Sequence, residues 1–247
     1  MLPTISIAAP AYQEGVNIRA LAGEWLAWLE KRFRAGDYEI VICDDGSLDR
    51  TWDELSALAK IHPALKPCRH AVNQGAAAAL TTAIRRTTKD WVLLLDTDGQ
   101  FPIENLEAFI RAGETTPAHA YIGYRPRKVD SLFARFGSWA SGACCNFFHG
   151  THYRDFNCAL KLVEGPLLRG LELEAKGLNY STEITSRLLE SGVEIREVAI
   201  VHRPRLHGRS SRTLLRGSLH RFLFVLYIGV RQLLLRWGIL QRRTVSS

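Results

Sequence analysis

The chain has no acidic residue after Glu197. It also has no long apolar run: the longest that is both uncharged and apolar, Phe222 to Val230, is nine residues. A membrane-spanning helix needs about twenty, so no obvious transmembrane helix is expected, which leaves an interfacial one. Cysteines number five, an odd count without the spacing of a disulfide scaffold, and no signal-peptide pattern opens the chain. A reduced, cytoplasmic compartment is the expectation. No Walker loop and no GxGxxG occurs, nor any long repeat or low-complexity tract. Cys144, Cys145, His149, His152 and Cys158 gather in sequence, but adjacent cysteines do not match the two-to-four spacing of zinc sites. A small-residue helix with buried thiols is expected there instead.

What is present fits a globular protein. The 247 residues are 47% hydrophobic and 23% charged, enough for a single large α/β core. The net charge of +7 is unevenly spread. Ten arginines lie between Arg203 and Arg243, giving that end +10 and leaving residues 1–202 at −3. Such asymmetry points to an anionic partner: nucleic acid, a membrane surface or a phosphorylated ligand. The tail's aromatics sit within an apolar run rather than among its arginines, and no DNA-binding motif occurs, so nucleic acid is not expected.

Short apolar runs alternate with helical patterns. Thr4–Ala9, Glu39–Cys43, Trp91–Leu95, Ala120–Gly123 and Glu194–Ile200 read as strands. Helical patterns cover roughly 17–34, 51–60, 75–87 and 104–113. This alternation predicts βαβ units and a mainly parallel sheet, with ligands at the carboxyl ends of its strands. Segment 131–148 has apolar positions 132, 136, 139, 143 and 147 on one helical face. Between about 212 and 240, Leu215, Leu219, Phe222, Leu226, Val230, Leu233 and Trp237 recur at spacings of three and four. Arg212, Arg216, His220 and Arg231 run beside them. That pattern suits an amphipathic interfacial helix, or equally a core or dimer-interface helix. Residues 1–211 are taken as the main domain and 212–247 as a basic C-terminal helical segment.

Three strand ends run into polar turns: Pro10-Ala-Tyr12-Gln-Glu14, Asp44-Asp45-Gly46-Ser47-Leu-Asp49 and Asp96-Thr97-Asp98-Gly-Gln100. Carboxylates on alternate residues at a strand end, as in Asp96-x-Asp98, can meet one divalent ion directly or through water, and Gln100 adds a neutral oxygen. Alone, the pair is a weak signal and reads more readily as a solvated acidic turn. Asp, Gly and Ser are turn formers, and Asp49 is placed to cap the next helix. Acidic turns gathered at one edge repel one another unless a cation or donor groups lie between them. The arrangement suits a nucleotide diphosphate with its metal.

The ordered set PAYQE, DDGSLDRT, NQG, DTDGQFP, IGYRPR, DFNCALK, YSTEI and HRPRLHGRSS resembles glycosyltransferase family 2. Within that family it looks most like the dolichol-phosphate mannose synthase branch, which includes bacterial polyprenyl-phosphate sugar transferases. The likeness spans about residues 4–212. It implies a GT-A fold, a Rossmann-like α/β domain that binds a nucleoside diphosphate sugar and passes the sugar, with inversion, to a polyprenyl phosphate. By position, Pro10, Tyr12 and Glu14 match the first nucleotide-contacting loop. Cys43 and Asp45 match the base and ribose region. Asp96, Thr97 and Asp98 match the diphosphate loop, with Asp96, Asp98 and Gln100 as ligands of Mg2+ or Mn2+ and Asp98 central to turnover. Arg125 matches an arginine near the reacting phosphates, and Arg205 one on a loop that closes over the nucleotide. The sequence departs from the family pattern in three places. Ser211 stands where the loop often has lysine, with Arg209 or Arg212 as substitutes. Ser138 and Gly142 occupy the usual arginine and serine positions of the next helix, leaving Arg135 as the second acceptor-phosphate arginine. Gly99 follows Asp98 where a larger residue is common.

The chemistry agrees with this reading. A departing nucleoside diphosphate needs its negative charge stabilised, by a divalent ion and arginines. A phosphate acceptor, with a second pKa of about 6, is already an anion near neutral pH and needs no general base. A hydroxyl acceptor on a glycan does need one, and Asp155 and Glu183 are the candidates for it outside the nucleotide motifs. A non-catalytic nucleotide-sugar-binding protein recruited to a membrane is the remaining alternative. The leading expectation is an enzyme peripheral to the cytoplasmic membrane face, moving mannose or glucose.

Overall fold

A computed structural model of the chain describes residues 4–127, 132–175, 179–204 and 214–240. Among them, seven strands form one sheet: β1 (Ile5–Ala11), β2 (Tyr38–Asp44), β3 (Leu65–Arg69), β4 (Trp91–Leu94), β5 (Ala120–Tyr124), β6 (Lys161–Glu164) and β7 (Ile195–Ala199). Their spatial order is β3-β2-β1-β4-β6-β5-β7. β1 runs parallel to β2, with Pro10 opposite Cys43 and Ala11 opposite Asp44, and parallel to β4 on its other side. β6 is inserted antiparallel between β4 and β5, placing Lys161 opposite Leu94. The expected mainly parallel α/β sheet is found. The sequence reading missed β3 and β6. β3 carries Pro67, which a sheet tolerates at its edge, and β3 is one of the two edge strands. β6 is only four residues long and opens on a lysine.

Eight helices are described: α1 (Ile18–Glu30), α2 (Thr51–Ile61), α3 (Ala76–Arg86), α4 (Asn105–Thr115), α5 (Leu132–His149), α6 (Gly165–Arg169), α7 (Tyr180–Glu190) and α8 (Leu214–Arg236). α1 forms because Ile18, Leu21, Ala22, Trp25, Leu26 and Leu29 fall on one stripe, and all are buried. Each large apolar side chain so buried stabilises the fold by about 1.5–3 kcal/mol. α1, α2 and α4 cover one face of the sheet. α3, α6 and α7 cover the other, where Ala77, Ala79 and Ala83 let α3 lie close to β1 and β2.

α5 and α8 pack on each other beside this sandwich. Gly229 of α8 fits against the Phe148 ring, where a Cβ would come within 2.5 Å. The Arg236 guanidinium donates to the Phe148 carbonyl at 2.8 Å. Cys145, Phe156 and Val225 form a small core beneath the pair. A buried ion network ties α8 to α7: Arg187 pairs with Glu183 and Glu190, and Glu190 accepts from Arg231 and Gln232 at 3.0 and 3.2 Å.

The two apolar rows read from the sequence face outward. On α5, Phe136 and Trp139 are each 65% exposed and Phe147 is 79% exposed. On α8, Phe222, Leu226, Val230, Leu233 and Trp237 are exposed, whereas Val225, Ile228 and Gln232 face in. Leu215, Arg216, Leu219 and His220 are described as helix backbone alone, and Arg205, Arg209, Ser211 and Arg212 lie outside the described residues.

Candidate active site

The carboxyl ends of β1, β2, β4 and β5 share one edge of the sheet, and antiparallel β6 begins there. The turns that follow are stitched together. The Asp45 amide donates to the Ala11 carbonyl at 2.8 Å, and the Thr97 hydroxyl to the Pro10 carbonyl at 2.9 Å. The Arg203 amide donates to the Gln100 carbonyl at 2.8 Å. Asn105 both donates to the Val201 carbonyl and accepts from its amide. The segment that runs toward Arg205 therefore lies along the Asp96–Gln100 turn.

Asp96 and Asp98 are both half-buried. Asp96 accepts a hydrogen bond from the Tyr180 hydroxyl at 2.7 Å, so α7 orients the first carboxylate. Asp98 accepts the Gln100 amide at 3.0 Å. That closed turn requires Gly99 at φ +73°, a left-handed conformation disfavoured for a larger side chain. Two carboxylates and the Gln100 amide oxygen form an all-oxygen donor set, the chemistry a hard divalent cation prefers. That donor chemistry fits Mg2+ or Mn2+. No group of three or more His, Cys, Asp or Glu side chains suited to a metal occurs among the described residues. Cys145 and Cys158 are buried thiols and Cys144 is exposed.

The second acidic turn is largely consumed by structure. Asp45 accepts the Gln74 amide at 2.9 Å, the Gly75 amide at 2.7 Å and a contact from His70 Nδ1 at 2.8 Å. Its carboxylate thus anchors the Asn73-Gln-Gly75 turn at the start of α3, where the helix dipole favours an anion. His70 also contacts the Thr82 hydroxyl on α3. Asp44 is fully buried, accepting the Ser47 amide and lying 3.1 Å from Arg69 Nε. Gly46 takes φ +71°, and the chain there passes too close to Val72 for any Cβ, so both its conformation and its surroundings call for glycine. Cys43 is fully buried, and its contact with Cys68 together with burial holds the thiol protonated. The Cys43 side chain therefore packs in the core.

The first loop rests on the second. The amides of Gln13, Glu14 and Gly15 donate to Ser47 Oγ, Thr51 Oγ1 and Asp49 Oδ2, each at 2.9 Å. Asp49 also accepts the Thr51 amide at the start of α2, although the N-cap position itself is held by Arg50 rather than by the expected Asp49. Burial opposes its charge, but hydrogen bonds from the Thr51 hydroxyl and the Gly15 and Thr51 amides hold its carboxyl below the ordinary value. Tyr12 stands at the rim, 44% exposed.

Arg125 follows β5 and forms a two-point ion pair with Asp155: Nε to Oδ2 at 2.7 Å and Nη2 to Oδ1 at 3.2 Å. Asp155 is buried, and removing either partner costs about 3–5 kcal/mol when the other is left as an uncompensated buried charge. Glu183, the other carboxylate considered as a base, is fully buried. It accepts the Glu174 and Ala175 amides and pairs with Arg187. Arg135 is exposed on α5. Tyr180, His70 and Lys161 were not singled out in the sequence, although each lies within or next to a recognised motif.

The strand order, with one antiparallel strand inserted beside acidic turns at the strand ends, is the architecture of a GT-A glycosyltransferase. The profile of Glycosyl transferase family 2 matches residues 6–163, and the chain belongs to that family. The putative glycosyltransferase CsbB of Bacillus subtilis is 33% identical over 130 residues, 52% of this chain and 38% of that protein. The dolichol-phosphate mannosyltransferase of Pyrococcus furiosus is 29% identical over 108 residues, 44% of this chain and 29% of that one. An undecaprenyl-phosphate 4-deoxy-4-formamido-L-arabinose transferase of Yersinia pestis is 25% identical over 219 residues, 86% of this chain and 63% of its own length. The chain therefore spans less than two thirds of each of these relatives. Among solved structures, glucosyl-3-phosphoglycerate synthase of Mycobacterium tuberculosis, in complex with Mn2+, UDP and glucosyl-3-phosphoglycerate, shares the fold. Its TM-score is 0.65 at 18% identity, covering 97% of this chain and 81% of that one.

Proposed function

We propose that this glycosyltransferase moves one sugar, mannose or glucose, from a nucleoside diphosphate sugar to a polyprenyl phosphate. Mg2+ or Mn2+ would be held by Asp96, Asp98 and Gln100, where it supplies charge stabilisation to the leaving diphosphate. Tyr12 at the rim and the backbone around Cys43 flank the space for the nucleoside, and Pro10, Glu14 and Asp45 build its walls. Arg125, fixed by Asp155, presents a guanidinium beside the reacting phosphates, with Arg135 and Arg205 assigned to acceptor phosphate and nucleotide.

The observation that carries a phosphate acceptor is the engagement of both spare carboxylates. Asp155 is occupied by Arg125, and Glu183 is locked in the interior by two amides and Arg187. Neither is poised to deprotonate a hydroxyl, and an anionic phosphate does not require it. Named activities of the relatives, transfer to dolichyl or undecaprenyl phosphate, support the same acceptor class.

The outward apolar rows of α5 and α8 favour work at a lipid surface. No described helix is long and apolar enough to cross a membrane. Aromatic residues on two adjacent helices, joined to a +10 arginine-rich end, suit interfacial docking on anionic lipid. We place the protein at the cytoplasmic face, as a peripheral enzyme. A matched pair of acceptors tests the reading. Polyprenyl phosphate is expected to be glycosylated and the corresponding polyprenol is not; transfer to the alcohol alone would overturn it.

A further inference from the structure

Arg154 is a second arginine at the corner where Arg125 meets Asp155. Tyr124 ends β5 and Arg125 follows it, while Arg154 and Asp155 adjoin in the loop ahead of β6. Two contacts join these neighbours residue by residue. Arg125 Nε lies 2.7 Å from Asp155 Oδ2, and the Arg154 guanidinium carbon lies 4.7 Å from the centre of the Tyr124 ring. The backbone is fixed as well: the Arg154 and Asp155 amides donate to one oxygen of Glu197 on β7, at 2.7 and 3.2 Å.

The two arginines differ in what holds them. Arg125 spends two nitrogens on Asp155. The Arg154 side chain is exposed and, among the described residues, makes no hydrogen bond or ion pair. Stacking on Tyr124 uses the face of its guanidinium and leaves the N–H donors along the edge. That edge is a planar fork matched to two oxygens of a phosphate. The stack also restrains the side chain, so less rotamer entropy is lost when the fork engages a ligand.

The corner stands on the side of the site away from the nucleoside. In the sheet order, β1 and β2 with their loops lie on one side of β4, and β6 and β5 on the other. The same loop rests on α5: Asn157 Nδ2 donates to the Ser138 carbonyl at 2.9 Å, and a Cβ at Gly142 would lie 3.6 Å from that nitrogen. α5 carries the outward Phe136 and Trp139. Arg154 thus borders the end of the site nearest the helix whose rings suit a lipid surface.

We infer that Arg154 binds the phosphate of the acceptor, alongside Arg125, with Tyr124 as the platform that presents it. This rests on the reading of the chain as a transferase to a lipid phosphate.

The test uses the full chain, with thermal melts as the check of folding. Calorimetry measures binding of farnesyl phosphate, farnesol and inorganic phosphate, each with GDP or UDP and Mn2+ present, and of the nucleotides alone. R154M is expected to weaken farnesyl phosphate binding about tenfold, equivalent to ~1.4 kcal/mol, and to leave nucleotide affinity within about twofold. R154K keeps the charge without the fork and loses about fivefold. Y124L, which removes the platform, loses about threefold. A folded R154M with wild-type affinity for farnesyl phosphate overturns the inference, as does an equal loss of nucleotide affinity. Inorganic phosphate bound as tightly as farnesyl phosphate overturns the lipid as its source. If R154M does not fold, R154K decides: a fivefold loss supports the inference, and wild-type affinity contradicts it. A wild-type chain that binds nucleotide but no farnesyl phosphate overturns the lipid-phosphate reading itself, a separate result.

Discussion

The Tyr180 hydroxyl donates to Asp96 Oδ1 at 2.7 Å, linking the first turn of α7 to the acidic turn after β4. A hydrogen bond to a charged group contributes about 1.5–3 kcal/mol. Y180F is therefore expected to lower kcat about tenfold or more, with the fold intact in near-UV circular dichroism. Unchanged kcat would remove Tyr180 from the site.

Asp98→Ala deletes one of the two carboxylates available to a divalent ion. Turnover should fall below detection while the thermal midpoint moves little, since Asp98 is only half-buried. Retained activity, read as product formed at saturating Mn2+, would withdraw the metal assignment.

Arg125 binds Asp155 through two nitrogens, a geometry lysine cannot reproduce. R125K keeps the charge yet should lose about tenfold or more in kcat/KM, with a smaller loss of stability than R125M. Steady-state kinetics beside thermal melts separate the two effects.

His149 lies where α5 meets α8, its ring 5.7 Å from that of Phe156. Burial, and then the charge of Arg236, pull its pKa from 6.5 down to about 4. The folded value lies below the unfolded one, so the stability it represents is whole above pH 6.5 and is lost as pH falls through about 4. Melts between those limits should show a falling Tm, by about 2–4 °C per kcal/mol lost. H149Q should flatten that dependence; an equally steep fall in H149Q would assign it to other groups.

Trp139 and Phe147 are exposed on α5 beside the α8 row. Placing such a side chain in a bilayer interface contributes up to about 1.5–3 kcal/mol. W139S/F147S should reduce co-sedimentation with anionic liposomes at least tenfold while leaving nucleotide affinity unchanged. Equal sedimentation would locate the lipid contact elsewhere.

Three acidic turns were legible in the sequence because each follows an apolar run, and the order of motifs then pointed to the family and its fold. The residues that secure those turns were harder to see. α7 buries Ser181, Thr182, Glu183, Thr185 and Arg187 beside Tyr180, Ile184 and Leu188, so its apolar stripe is too narrow to mark it as a core helix. β6 contributes its first residues to the site, whereas strand-end reasoning looks at the last. Asp45 and Cys43 matched ligand positions in the sequence, yet in the fold one carboxylate is spent on the start of α3 and one thiol on the core. The apolar rows of α5 and α8 were visible as periodicity, but periodicity alone does not say which side of a helix meets the protein. The fold does: the inward faces carry Cys145, Phe148, Val225 and Gln232, and the regular rows point away.

The central claim is transfer of a single sugar to a lipid phosphate. Its most direct measurement is mass spectrometry of the lipid fraction after incubating the protein with polyprenyl phosphate, Mn2+ or Mg2+ and a panel of uridine and guanosine diphosphate sugars. One donor should yield a polyprenyl-phosphate product heavier by one hexose, absent with Asp98→Ala. No lipid-linked product with any donor, from a chain that binds nucleotide, would contradict the account.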